Sequence, residues 1–191
     1  MNNKRSSTSR SQNTRKTKPA PSGAKAEQRN SKAAQRTVKS PVGLLRVSAS
    51  ADGLCEVLFV DRPGPAIKGP AAAERILAST TAALNRYFKG DIKALKKVPL
   101  ALCGTPFQQQ VWNALARIPA GKTVSYGSIA RSIRRPAAVR AVGTACGKNH
   151  ICLFIPCHRV VAANNGLGGF SGGLDIKRKL LKHEGSLSRL S

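Results

Sequence analysis

A cysteine and a histidine stand side by side in residues 155–160, which have the sequence IPCHRV. Cysteine attacks other atoms as the thiolate, and a free thiol with a pKa of about 8.5 is mostly protonated at neutral pH. A histidine within reach can take the proton, and a carboxylate can orient that histidine. Glu184 lies in a second polar cluster, HEG at residues 183–185. Cys157, His158 and Glu184 are therefore the candidate reactive groups.

The two neighbours are not expected to touch directly. In extended backbone, successive side chains point to opposite faces, so a bond from the Cys157 thiol to the His158 imidazole requires a turn. A water molecule that His158 deprotonates, and that in turn deprotonates Cys157, solves the geometry. An inert buried cysteine beside a surface histidine is the alternative that the pair alone leaves open.

Other kinds of site fit the sequence less well. A zinc site could use His150, Cys152, Cys157 and His158, but the chain lacks the paired ligand spacing typical of structural zinc. The GKT sequence at 121–123 lacks the further glycine of a phosphate-binding loop and follows a predicted helix. The glycine cluster at 166–173 fails the dinucleotide fingerprint, whose third glycine falls on Ser171. We interpret that cluster as a loop whose backbone approaches a flat ligand, with the Ser171 hydroxyl available to it.

The chain is strongly basic, with 33 Lys and Arg residues against 8 Asp and Glu and a formal net charge of +25. Residues 1–40 carry +10, residues 41–104 carry +4 and residues 105–191 carry +11. The excess is therefore not confined to one tail. A folded region of this charge usually binds a polyanion, and nucleic acid is the default partner. A general affinity for anionic surfaces is the alternative.

The remaining composition concerns the compartment. Five cysteines are an odd number without a disulfide-scaffold spacing, which favours a reducing compartment. There is no apolar run of membrane-spanning length, so we expect no membrane association. Residues 1–37 are rich in Ser, Arg, Lys and Asn, and we expect a disordered basic tail. A cytoplasmic protein is expected, associated with the nucleoid in a bacterium, or a nuclear one in a eukaryote.

The first half of the chain predicts a small β-β-α unit. Two strand-like runs, 42–50 and 54–60, are joined at Asp52-Gly53, a strong hairpin signal. Apolar residues then recur at helical spacing over 71–89, and Gly90 follows as a natural helix end. Residues 92–104 are interpreted as a linker.

The second half predicts a mainly helical unit. Thr105, Pro106 and Gln108 form the start of a helix with a capping box. Two short helices are predicted over 126–133 and 137–146, an arrangement consistent with a helix-turn-helix. Residues 151–155 are predicted to be a short buried strand or extended segment, and 175–183 a final helix.

Taken together, these segments resemble the methylated-DNA–protein-cysteine methyltransferases, also called O6-alkylguanine-DNA alkyltransferases, from about residue 40 to 186. PCHRV at 156–160 matches the active-site signature of that family. Five further motifs occur in the family's order: GTPFQ and VW at 104–112, SYG at 125–127, RAVG at 140–143, FSGG at 170–173 and HEG at 183–185.

The resemblance implies an α+β fold. A small N-terminal β-sheet and helix domain, ribonuclease-H-like, is expected over 38–103. A mainly helical, winged-helix-like domain with a helix-turn-helix, which binds DNA and accepts the alkyl group, is expected over 104–191. The disordered tail over 1–37 precedes both.

The resemblance also implies a suicide reaction without a cofactor. Cys157 accepts the alkyl group from O6 of guanine in one in-line displacement and is not regenerated, so each molecule acts once. O4-alkylthymine is a further candidate substrate. His158 acts through water, Glu184 orients it, and Asn149 supports the same network.

The implied partner is double-stranded DNA containing O6-alkylguanine, bound by a monomer that needs no protein partner. Tyr126 helps rotate the damaged nucleotide out of the duplex, and Arg140 fills the space it leaves. Ser171 and the backbone of Val160 contact the guanine. Arg159 and Ala141 complete the expected DNA-binding or base-binding residues.

The sequence also departs from the family pattern. Cys152 stands where members often have proline or a small aliphatic residue, and Arg134 replaces a common glycine in the helix-turn-helix turn. Some members bind zinc in the N-terminal domain. Here that region offers only Cys55 and Cys103 and no histidine, so no metal is expected.

Two rival functions remain at this point. A lesion binder of the alkyltransferase-like kind carries tryptophan where this chain has Cys157. A thiol hydrolase using Cys157 and His158 would turn over its substrate, whereas alkyl transfer stops after one equivalent.

Overall fold

The computed structural model describes residues 33–163 and 166–187, and these begin with a three-stranded antiparallel sheet. Its strands, in the order β1-β2-β3, are β1 (Ala34–Ser40), β2 (Gly43–Ser50) and β3 (Gly53–Val60). Ser50 pairs with Gly53 across the turn, which confirms the predicted hairpin at Asp52-Gly53.

Strand β1 corrects one prediction, since residues 34–37 were assigned to the disordered tail. Ala34 and Val38 are its buried apolar residues, too sparse to show as a strand pattern. Main-chain bonds to β2 hold the strand instead, together with reciprocal bonds between Gln35 and Ile67 of 2.8 and 2.9 Å. Residues 1–32, the rest of the predicted tail, lie outside the described residues.

One helix covers this sheet, as predicted. Helix α1 (Ala71–Phe88) turns Leu77, Leu84 and Tyr87 into the core. The predicted linker after it contains a short 3-10 helix (Ala94–Lys97) and then runs beside β3. There the Leu54 amide donates to the Pro99 carbonyl at 2.8 Å.

The second half is built on four helices, α2 (Pro106–Ala116), α3 (Tyr126–Ser132), α4 (Val139–Gly147) and α5 (Leu174–His183). Thr105 and Gln108 form the predicted capping box on α2. Trp112 of α2 is buried and donates its indole N–H to the Ala145 carbonyl of α4 at 2.9 Å. The pair α3 and α4 is therefore fixed against α2, as a helix-turn-helix requires. No helix in the described ranges has both the length and the apolar character needed to cross a membrane.

Residues 150–161 join the two halves. The Val57 amide donates to the His150 carbonyl at 2.8 Å, and the Cys152 amide donates to the Val57 carbonyl at 3.0 Å. The chain then reverses at Leu153, which has a φ of 73°. It continues through a 3-10 helix (Cys157–Arg159) into β5 (Val160–Val161), which pairs in parallel with β4 (Val124–Ser125). The prediction of an extended segment over 151–155 thus holds only in part, because the segment folds back on itself.

The glycine-rich loop packs against the sheet of the first half. Phe59 of β3 and Phe170 of the loop meet edge to face with their ring centroids 5.7 Å apart. A Cβ atom on Gly172 would lie 2.6 Å from Cδ2 of Phe59 and 2.9 Å from Cε1 of Phe170. The loop can therefore lie this close to β3 only with glycine at position 172.

We expect Gly172→Ala to lower the free energy of unfolding by about 1–3 kcal/mol, the usual cost of overpacking. Gly169→Ala is the matched control, because a Cβ there would have no atom within 4 Å and should change stability by less than about 0.5 kcal/mol. Urea unfolding of both variants measures the difference. Equal stability of the two would show that the contact with Phe59 does not restrict the loop.

Candidate active site

The carboxylate of Glu184 is buried at the end of α5 and accepts four hydrogen bonds. Arg159 donates to both of its oxygens at 2.7 Å. The Tyr87 hydroxyl donates to Oε1 at 2.8 Å, and His158 Nε2 lies 3.1 Å from the same oxygen. These bonds hold the pKa of Glu184 well below its usual range in spite of burial, which acts to raise it. Glu184 is therefore a fixed anion.

The imidazole of His158 is fully enclosed and held from one side. Because Nε2 faces the Glu184 carboxylate, Nε2 carries the hydrogen and Nδ1 has the free lone pair. In the described part of the chain, Nδ1 is the only buried side-chain nitrogen or oxygen without a hydrogen-bond partner. Burial lowers the pKa of His158, although Glu184 opposes this. The group is thus a neutral base with an available acceptor atom.

The thiol of Cys157 is buried beside Asn149. Asn149 Nδ2 donates to Cys157 Sγ at 3.2 Å and to the Ile155 carbonyl at 2.8 Å, while its Oδ1 accepts from the Ile151 amide at 3.0 Å. Asn149 is therefore fixed on both sides and presents an N–H to the sulfur.

Three buried cysteines lie in this region, and they differ in acidity. Burial raises the pKa of Cys146 to about 12. A hydrogen bond to Cys157, together with burial, raises the pKa of Cys152 well above its ordinary value. The pKa of Cys157 is lowered, first by the hydrogen bond from Cys152, then by Asn149 and by the charge of Lys177, against the effect of burial. Cys157 is therefore the thiol of the three that is prepared to act as a nucleophile.

Lys177 is a fully buried lysine behind the glycine-rich loop. Its ammonium donates to the carbonyls of Val160 at 2.6 Å and Gly169 at 3.2 Å, and also to that of Leu167. Burial lowers the pKa of Lys177 from 10.5 to about 8, while Cys157 opposes the shift. The side chain ties the loop to β5 and supplies positive charge near the sulfur.

A cavity of about 150 Å³ opens onto Cys157. Its walls come from three places: Tyr126 at the start of α3, the inner face of α4, and the glycine-rich loop. The lining residues are Tyr126, Gly143, Cys146, Gly147, Cys157, Gly169, Phe170 and Ser171. A larger groove of about 570 Å³ between α2 and α3 contains none of the candidate reactive groups. The smaller cavity is therefore the candidate active site.

Comparison with known proteins identifies the family. The family model described as 6-O-methylguanine DNA methyltransferase, DNA binding domain, matches residues 106–186. The model described as its ribonuclease-like domain matches residues 34–102. The chain belongs to the 6-O-methylguanine DNA methyltransferase family.

Relatives and solved structures agree with this assignment. The methylated-DNA–protein-cysteine methyltransferase of Methanosarcina acetivorans is 43% identical over 151 residues, covering 78% of this chain and 96% of the relative. The one from Mycolicibacterium paratuberculosis is 43% identical over 150 residues, covering 78% of this chain and 90% of that protein. The crystal structure of Mycobacterium tuberculosis OGT in complex with DNA is 38% identical, covers 80% of this chain and 93% of that one, and has a TM-score of 0.68. The α+β fold with a ribonuclease-like and a DNA-binding domain is therefore confirmed.

The structure places most of the predicted site residues of this methyltransferase-family protein in or beside the cavity. Tyr126 and Ser171 line it. Arg140 and Ala141 are exposed on α4, where Arg140 lies one helical turn before the lining residue Gly143. Val160 is buried outside the lining, and its carbonyl accepts from Lys177. The roles of these five residues toward DNA stay predictions.

Arg159 requires a correction, because it was predicted to bind DNA or base. Its side chain is buried, with the guanidinium bonded to Glu184 and, through Nη1, to the Ile118 carbonyl at 2.6 Å. An arginine with these partners has no free donor face to offer DNA. Its role is to neutralise and hold Glu184.

The zinc alternative gains no geometric support. Within residues 33–163 and 166–187, no three His, Cys, Asp or Glu side chains are grouped so that they could hold a metal ion. His158 faces Glu184, whereas the His150 ring packs against Trp112 with a centroid distance of 5.2 Å.

Sequence reasoning missed Tyr87 and Lys177. Tyr87 lies 97 positions from Glu184 in the chain, and nothing local to either residue pairs them. Lys177 did leave a signal, since it falls on the same helical stripe as the buried Leu180 and Leu181. A lysine on an apolar stripe predicts a buried cation that has polar partners.

We expect Arg159→Met to lower the free energy of unfolding by about 3–5 kcal/mol, because it leaves the Glu184 carboxylate buried without its counter-ion. Arg140→Met removes the same charge from an exposed position and should change stability by less than about 0.5 kcal/mol. Urea unfolding and DNA titration of both variants separate the roles. A stable Arg159→Met protein with weakened DNA binding would return Arg159 to the DNA interface.

Proposed function

We propose that this protein repairs alkylated DNA by direct reversal, moving a methyl or other alkyl group from O6 of guanine to the sulfur of Cys157. The observation that carries the proposal is the state of that sulfur. Of the three buried thiols around the cavity, Cys157 alone has a lowered pKa, and it faces the cavity beside α4. The names of the relatives, methylated-DNA–protein-cysteine methyltransferases, agree with this chemistry.

The step is an in-line displacement at the alkyl carbon. A bond forms between Cys157 Sγ and that carbon, while the bond from the carbon to guanine O6 breaks and O6 keeps the electron pair. The thiol proton passes through water to His158 Nδ1, the free acceptor of the imidazole. Guanine regains a proton as it leaves. The thioether that remains on Cys157 is stable, so each molecule acts once.

The guanine must leave the base stack before this reaction. Extrusion costs a few kcal/mol, and an alkyl group on O6 weakens the base pair and so favours flipping of the lesion. Tyr126 at the cavity wall assists the rotation, and Arg140 fills the space left in the stack. Ser171 contacts the base inside the cavity. Both Tyr126 and Ser171 line the cavity, and the position of Arg140 next to its lining helps these roles.

The protein acts on double-stranded DNA through contacts that do not depend on sequence. The net charge of +25 suits phosphate contacts, and the repair of one lesion in any sequence context requires no base readout. We propose a monomer that works without a protein partner, in the compartment that holds the DNA: the bacterial cytoplasm, or the nucleus of a eukaryote.

Intact-mass measurement of the protein after incubation with duplex DNA containing O6-methylguanine tests the proposal. We expect a gain of one methyl group per molecule, on the peptide that contains Cys157, and the loss of one lesion per methyl gained. Cys157→Ala should gain no mass and still bind the DNA. Cys55→Ala, a thiol of β3 outside the cavity, should behave as the unmodified sequence.

Two results would contradict the proposal. Binding of the lesion with no mass change would indicate a lesion binder. Loss of many lesions per protein molecule, with Cys157 unmodified, would indicate a hydrolase.

A further inference from the structure

Cys152 lies beside Cys157 because the chain reverses between them. The Cys152 amide is bonded to Val57 of β3, which fixes the residue at the edge of the sheet. The backbone then turns at Leu153, with a φ of 73°, and the Ile155 amide donates to the Ile151 carbonyl at 3.0 Å. This tight turn places Cys152 opposite Ile155, two residues before Cys157. Both cysteines are buried, with exposed fractions of 1% and 5%.

The two thiols share one set of polar partners. Asn149 donates to Cys157 Sγ at 3.2 Å, and its carbonyl lies 3.8 Å from Cys152 Sγ. The Cys152 and Cys157 side chains are also hydrogen-bonded to each other. Cys152 is in turn hydrogen-bonded to the hydroxyl of Ser171, which lines the cavity. A chain of three side chains therefore runs from the cavity wall to the nucleophile.

The direction of the middle bond follows from where the proton resides. Burial and the bond to Cys157 raise the pKa of Cys152, so its thiol keeps the hydrogen, whereas the pKa of Cys157 is lowered. A thiol is a weak donor toward a neutral acceptor. Toward a buried anion the bond is charge-assisted, and low local polarity strengthens it.

We propose that Cys152 is a positioning residue for alkyl transfer, whose S–H donates to the Cys157 thiolate and holds that sulfur in line with the base that Ser171 contacts. The contribution rests on the proposed function only in that Cys157 is the acceptor. Cys152 gains no alkyl group itself. Its effect is to raise the fraction of Cys157 present as thiolate near neutral pH.

The test measures the pH profile of Cys157 reactivity in the full-length protein, with iodoacetamide as the probe and peptide mass as the readout. Three variants are compared with the unmodified sequence. Cys152→Ala and Cys152→Val remove the donor, with and without loss of volume, and Cys152→Ser replaces it with a stronger hydroxyl donor. Cys55→Ala controls for the removal of a thiol elsewhere. Transfer from O6-methylguanine DNA is measured in parallel on each protein.

We expect the alanine and valine variants to react about tenfold more slowly below the midpoint of the profile, with the midpoint displaced to higher pH, as befits one lost bond to a charged group. The serine variant should keep the profile of the unmodified sequence or move to lower pH. Methyl transfer should fall in the same order. A variant that fails to fold is replaced in the comparison by the other donor-free one.

Two outcomes would overturn the inference. One is a profile for the donor-free variants that superimposes on that of the unmodified sequence. The other is an equal displacement for serine, alanine and valine, which would indicate packing and not hydrogen bonding. The iodoacetamide profile does not depend on the substrate. Shifted profiles in a protein that never takes a methyl group from DNA would therefore refute the proposed function and leave the role of Cys152 intact.

Discussion

One buried carboxylate, that of Glu184, organises the reactive region. Burying an anion costs several kcal/mol unless it is well paired and hydrogen-bonded. Here the pairing comes from both halves of the chain, with Tyr87 donated by the first helix and Arg159 and His158 by the segment after the nucleophile. Any movement of one half against the other would break bonds to a charge that water cannot reach. The carboxylate therefore fixes the imidazole and the relative position of the two halves together.

The sulfur depends on a second set of constraints that surround it from the other side. The sheet of the first half grips the backbone at His150 and Cys152, so the tight turn that precedes the nucleophile is built against a rigid edge. Lys177 bonds the carbonyls of β5 and of the glycine-rich loop, and its charge lies close enough to lower the pKa of Cys157. The first domain is thus part of the active site, although it contributes no residue to the lining of the cavity.

Residue types were sufficient to predict the reactive groups, because a thiol, an imidazole and a carboxylate in a strongly basic chain define a narrow chemistry. The helices and the hairpin followed from periodicity, caps and turn residues, which are local signals. Strand β1 did not, since main-chain pairing and not apolar alternation holds it. Arg159 was assigned to DNA because an arginine beside the nucleophile of a basic protein suggests a phosphate contact. Only the fold shows that Glu184 lies opposite it.

The central claim is that Glu184 keeps His158 as a neutral imidazole whose Nδ1 is free to accept a proton. Nitrogen-15 NMR of the two ring nitrogens of His158 at pH 7 tests it most directly. We predict a protonated Nε2 and an unprotonated Nδ1, because Nε2 faces the carboxylate and burial lowers the pKa of the ring. A doubly protonated imidazolium, or a hydrogen on Nδ1, would contradict the account.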